Sequence, residues 1–267
     1  TGASTGVGLG SARALASAGA ELILTGRTLG KFNTAEAHIK KSAPNAKLHY
    51  IELKLEDLEH CRKASLDVVD RFTSLDGIIA NAGVMACDFQ TTEQGFEWQF
   101  GVNHLGHFVF INHLIGLLVN DDARVAILSS GGHRYANVDL NDPNFDQTPY
   151  DKWQSYGRAK TANALFAVAL NQRLANGSVF AVHPGAIGTE LSRHMSKADL
   201  VKMGGSMQQS GVAMKSVEAG AATQVWAVTA PELAGKGGLY LENCGIAEAS
   251  DAADHGYAAY ALESNNA

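Results

Sequence analysis

Apolar positions along the chain fall into short runs separated by polar and glycine-rich breaks, and the runs alternate between two periods. Leu9 to Ala18 is rich in Ala and Leu and stops at Gly19, the pattern of a helix with a glycine terminator. Glu21 to Thr25 (ELILT) reads as a short buried strand. Leu29 to Lys41 is helical in pattern and is closed by Pro44-Asn45; Lys47 to Leu53 has strand character, and Asp57 to Phe72 resumes helical periodicity. Gly77 to Ala80 is another apolar strand end. Thr92 to Val119 predicts one long helix, Arg124 to Ser129 a further strand, Lys152 to Ala175 a helix, Ser178 to His183 a strand and Lys236 to Leu241 a last strand. Alternation of this kind predicts an α/β fold: a single doubly wound Rossmann domain over residues 1–267, with a parallel sheet covered by helices on both faces.

The breaks are informative as well. Residues 131–150 are rich in Asn, Asp, Gly and Pro and predict a loop at the carboxyl end of the sheet, the edge at which ligands bind in such folds. Residues 190–215 are dense in Met, Gln, Ser and Gly with little apolar period; they read either as a lid over a substrate or as an ordinary surface excursion. No internal repeat, linker or change of composition marks a second domain. Thr1-Gly2 opens directly on a glycine turn. Such a turn makes physical sense when a strand delivers the chain to it, so apolar residues are expected before Thr1, in a strand lying mid-sheet between those that begin near Glu21 and Gly77.

Composition narrows the function classes. With 267 residues, 46% of them hydrophobic and 18% charged, the chain has material for one large core and no signature of disorder. The formal charge of −6 argues against nucleic acid as a partner. Three cysteines, far apart and without His or Cys at ligand spacing, indicate neither a disulfide framework nor a metal site, and a reducing cytoplasm is the default compartment. No apolar run approaches the roughly 18 residues of a membrane span.

The chemistry begins at Thr1-Gly2-Ala3-Ser4-Thr5-Gly6-Val7-Gly8, where three glycines let the chain turn tightly, admit a pyrophosphate to the backbone and pack the next helix on the sheet. Tyr156 and Lys160 form Y-x-x-x-K in a predicted helix, which sets both side chains on one face, one turn apart. An ammonium near a phenol stabilises the phenolate, and Tyr156 can then exchange a proton with a carbonyl or alcohol oxygen. Four more stretches follow in order: Asn81-Ala82-Gly83, Asn103 within Val-Asn-His-Leu-Gly-His, Ser129-Ser130, and Pro184-Gly185 leading to Ile187 and Thr189.

In these motifs and their spacing the chain resembles the short-chain dehydrogenase/reductase family from residue 1 to at least Cys244, and VNHLGHF, NAGVM and VHPG look closest to its retinol dehydrogenase-like branch. The resemblance implies hydride transfer between a nicotinamide dinucleotide and an alcohol or carbonyl, with Ser130, Tyr156, Lys160 and Asn103 as a catalytic tetrad. Ser130, the second of the paired serines, would hold the substrate oxygen, Lys160 the nicotinamide ribose, and Asn103 a water joining Lys160 to solvent. The dinucleotide would be held by Gly2, Ser4, Thr5, Gly6, Val7, Gly8, Leu55, Asn81, Ala82, Gly83, Pro184, Gly185, Ile187 and Thr189 together with Tyr156 and Lys160. One position departs from the family: Lys54 stands where relatives carry an aspartate for the adenine amino group, leaving Asp57 or a carbonyl near Leu55 to replace it.

The cofactor is predicted to be NADP(H), with NAD(H) second. The predicted strand ends Leu24-Thr25-Gly26-Arg27 without the carboxylate that accepts ribose hydroxyls in NAD sites, while Arg27 and Lys31 offer donors to a 2′-phosphate. His104, His107, His133 and His183 read as packing or loop residues. Met195, Leu200, Met203 and Met207 suggest an apolar lining for a small lipophilic substrate, although Met also fills gaps in any core. A homo-oligomer is compatible with this reading. The alternative function is a dinucleotide-binding regulator of the same fold, which the complete tetrad disfavours; a sugar-nucleotide epimerase is disfavoured by the glycine spacing and the short substrate region.

Overall fold

In a computed structural model of the chain, residues 1–209 and 213–248 are described, and of Lys202, Ser206, Met207 and Gln209 only the backbone. The helices are α1 (Gly6–Ser17), α2 (Leu29–Lys40), α3 (Leu58–Arg71), α4 (Trp98–Phe100), α5 (Gly106–Leu114), α6 (Lys152–Arg173), α7 (Lys197–Gln209) and α8 (Val217–Thr229). The strands are β1 (Leu22–Gly26), β2 (Leu48–Glu52), β3 (Gly77–Ala80), β4 (Arg124–Leu128), β5 (Ser178–His183), β6 (Leu239–Glu242) and β7 (Gly245–Ile246).

β1 and β2 pair in parallel, and β3-β4-β5-β6 form a second parallel ladder, to which β7 adds an antiparallel edge that the strand pattern does not predict. Thr1 lies against β3, its nitrogen donating to the Ile79 carbonyl at 2.7 Å. β4 and β5 are buried along their whole length. Their alternate residues serve two layers: Val125, Ile127, Val179 and Ala181 face a core shared with α3, α5 and α6, and Ala126, Leu128, Phe180 and Val182 face one shared with α8. α1 and α2 close over Leu24 of β1. A sheet buried on both faces explains why these strands read as continuous apolar runs.

Two predicted elements are corrected. Residues 92–97 are not helical: Gly95 takes φ +84°, and the fully buried Glu97 starts α4 by accepting the Gln99 and Phe100 amides. Beyond α4 the helix widens to a π turn at Gly101–Leu105 and tightens to a 3₁₀ turn at Ile115–Leu117, so the long helix is interrupted. Within residues 190–215, where little period is legible, the chain forms a 3₁₀ turn, Glu190–His194, and then α7. Ser196 and Asp199 cap α7 reciprocally: the Asp199 amide donates to Ser196 Oγ and the Ser196 amide to Asp199 Oδ2. Lys152 Nζ, at 2.5 Å from Asp199 Oδ2, ties this turn to the start of α6. Residues 210–212 and 249–267 of the predicted domain lie outside the described residues.

Candidate active site

The carboxyl ends of the strands open into a cleft of about 890 Å³. Its walls include every residue predicted to hold the dinucleotide, together with Ser130, Tyr156 and Lys160; Asn103 lies buried behind them.

At one end the glycine turn runs into α1, whose cap residue, Thr5, makes no side-chain capping bond, so the first amides of the helix have no side-chain acceptor there. A Cβ on Gly8 would collide with the Gly2 carbonyl and stand 2.5 Å from Asn81 Nδ2. The turn is therefore a cradle that side chains would fill, which fits a pyrophosphate laid on bare backbone. Thr1 fastens this cradle to the end of β3. Its Oγ accepts the Asn81 and Ala82 amides at 3.0 and 2.9 Å and meets His107 Nε2 at 2.8 Å. His107 Nδ1 faces the Asn103 carbonyl at 3.0 Å, an acceptor only, so the ring proton sits on Nδ1 and Nε2 accepts from the Thr1 hydroxyl. Burial holds this imidazole neutral, at about 3. Thr1 and His107 are the connection that sequence reasoning missed. The partners are some 80 and 106 residues apart in the chain, and a single histidine in an apolar helix carries no signal of them.

Past the end of β1 Arg27 and Lys31 line the cleft, and among the described residues neither forms an ion pair. Lys54 turns away to Glu52, 3.0 Å from Nζ to Oε1. Asp57 is occupied as the cap of α3, accepting the Glu59 and His60 amides, which leaves Leu55 as the lining residue of the two alternatives.

At the other end, α6 carries Tyr156 and Lys160 on one face as its four-residue spacing requires. Tyr156 is 3% exposed and lies over Gly132, where a Cβ would stand 2.6 Å from ring atom Cε1; only glycine lets the ring seat there. Ser130 Oγ accepts the Gly132 amide at 3.1 Å. Burial raises the phenol to about 12, and the neighbouring Ser130 hydroxyl opposes that only in part. Lys160 Nζ donates to the Leu128 carbonyl at 2.9 Å and stands 5.7 Å from the Tyr156 ring centre; burial lowers the amine to about 8. Here the ammonium is turned to a backbone acceptor, and desolvation is the first cause of the shift in both groups.

Asn103 sits in the π turn, its side chain clasping Val84 through both backbone groups, Oδ1 from the amide at 2.8 Å and Nδ2 to the carbonyl at 2.9 Å. Its own carbonyl accepts Asn163 Nδ2 at 3.1 Å as well as His107. A Cβ on Gly83 would lie 3.0 Å from Asn103 Oδ1 and 3.8 Å from Lys160 Nζ, so the asparagine reaches the lysine's neighbourhood from behind.

Beyond Tyr156 the lining turns apolar, with Met85, Tyr135, Trp153, Leu200, Met203 and Met214. Leu200 and Met203 are among the residues expected there. Met195 is not, since it ends the 3₁₀ turn outside the lining, and the Met207 side chain lies outside the described residues. Among the described residues no group of three or more His, Cys, Asp and Glu could hold a metal ion, and no helix is long and apolar enough to cross a membrane.

The sequence pattern of the family described as short chain dehydrogenase matches residues 1–141. Human retinol dehydrogenase 14 is 34% identical over 260 residues, covering 91% of this chain and 77% of its own length. Human retinol dehydrogenase 13 is 35% identical over 252 residues, with 91% and 74% covered. A solved short chain dehydrogenase from Burkholderia cenocepacia J2315, in complex with NADP, superposes with a TM-score of 0.70 at 21% identity, over 90% of this chain and 93% of that one.

Proposed function

The chain belongs to the short-chain dehydrogenase/reductase family, in its retinol dehydrogenase-like branch, and from that premise we propose that it interconverts a lipophilic carbonyl compound and its alcohol with NADP(H). When bound, the nicotinamide supplies or accepts the hydride. The protein's part is position and proton. Tyr156 exchanges the proton with the substrate oxygen, Ser130 holds that oxygen, and Lys160 bonds the nicotinamide ribose hydroxyls. A phenol held at about 12 keeps its proton through the neutral range, the state from which a carbonyl oxygen is protonated. The apolar lining around Trp153 and Met203, and relatives named for retinol, support a lipophilic substrate.

The observation that carries the cofactor choice is the pair Arg27 and Lys31, both on the cleft wall, neither in an ion pair, past a β1 that ends in Gly26 without a carboxylate. A hydrogen bond to a charged group contributes about 1.5 to 3 kcal/mol, so Arg27→Ala is expected to weaken NADPH by roughly 10- to 150-fold and leave NADH nearly unchanged. Titration of both cofactors into wild type and variant checks this. Wild type binding NADH as tightly as NADPH refutes the assignment.

A further inference from the structure

Besides Arg27, Lys31 and Lys160, one more cation lines the same cleft. Arg193 stands in the 3₁₀ turn Glu190–His194 and lines the cleft along with Arg27 and Lys31. Many surface cations of this protein are paired, as Arg62 is with Glu59 and Arg71 with Asp67. Among the described residues Arg193 forms no ion pair. Its hydrogen bond, from Nη1 to the Glu190 carbonyl at 2.9 Å, stays inside its own turn and leaves most of the guanidinium fork free. The carboxylates on the cleft wall, Glu56, Asp151 and Glu190, are not within ion-pair distance of it either.

The segment that carries Arg193 starts on the glycine turn. A Cβ on Gly6 would lie 3.2 Å from Thr189 Cγ2, and Thr189 caps the 3₁₀ turn through the Leu191 amide at 3.3 Å. The other end of the turn feels the adenosine side: burial first, then the charges of Arg193 and Arg27, hold His194 below its ordinary value. Glu190–His194 therefore runs from the glycine turn toward Arg27. The turn itself, Thr1 to Gly8, has no basic side chain. A helix amino end offers only about half an elementary charge, against the two negative charges of a pyrophosphate.

We propose that Arg193 is a phosphate ligand, closing over the dinucleotide's pyrophosphate so that it lies between the first amides of α1 and a guanidinium from the Glu190–His194 turn. The proposal rests on the reading of the cleft as a dinucleotide site but not on the choice of NADP(H), because the pyrophosphate is common to both cofactors. Planar paired donors match a phosphate's oxygens, and a charge with no carboxylate to leave breaks no ion pair, only its bond to the Glu190 carbonyl, when it swings onto the ligand.

Arg193→Gln tests it by calorimetric titration of NADPH and NADH, with circular dichroism as a check on folding. Both affinities should fall about tenfold, and the gap from wild type should narrow as salt is raised. Arg193→Lys, which keeps the charge without the fork, should fall between the two. Unchanged affinity for both cofactors overturns the proposal. So does a loss confined to NADPH, which would place the charge on the 2′-phosphate. Failure of the NADP(H) reading shows separately, as an Arg27→Ala variant with no selective effect.

Discussion

Tyr156→Phe is expected to fold, to bind the dinucleotide nearly as well as wild type, and to lose about 10²- to 10⁴-fold in kcat. The phenol oxygen is the group the variant lacks, and the neighbouring Ser130 keeps a partner in the Gly132 amide without it. The ring itself is seated by packing against Gly132, and phenylalanine fills that seat equally well. The change therefore separates proton transfer from architecture. Steady-state rates on a carbonyl substrate, with cofactor affinity measured separately, decide the matter. Retention of more than about a tenth of wild-type kcat shows that Tyr156 is not the acid.

The parts of this site that were legible in the sequence are those fixed by local spacing. β3 and β5 follow from short apolar runs bounded by turn residues, and their ends deliver Asn81-Ala82-Gly83 and Pro184-Gly185 to the cleft. Tyr156 and Lys160 share a face because a helix repeats near four residues. What could not be read is long-range or hidden by composition. α8 is apolar and small on nearly all sides, so it shows no amphipathic period, although Ser216 caps it through the Ala219 amide. The break at 92–97 depends on Glu97, a charged residue that looks like a helical surface position and is fully buried, accepting from Tyr150 at 3.2 Å as well as from its own turn. The capping pair of Ser196 and Asp199 was present in the sequence at the right spacing and was outweighed by the Gly- and Gln-rich run that follows.

The direction of the Lys160 ammonium belongs to the same class, since the Leu128 carbonyl that it meets is 32 residues away. It leads to an expectation about stability. Lys160 is 5% exposed, and burial takes its amine from an ordinary 10.5 to about 8. This is a cation whose folded value is depressed, so the sign is opposite to that of a paired lysine. Below about pH 8 both folded and unfolded chains carry the proton, and the folded chain bears the full penalty of a buried charge. Between pH 8 and 10.5 the unfolded chain binds a proton that the folded one has released, and stability rises with pH through that window. At about 1.36 kcal/mol per pH unit, the penalty at neutral pH is roughly 3 kcal/mol. Lys160→Met removes it. The Leu128 carbonyl is not orphaned by the change, because Asn163 Nδ2 also donates to it at 3.0 Å. The variant should therefore be inactive yet more stable than wild type at pH 7, by up to about 3 kcal/mol in urea unfolding, with the difference vanishing near pH 10.5. A variant no more stable than wild type at pH 7, or a gap that does not close as pH rises, shows that the buried ammonium is not the source of strain.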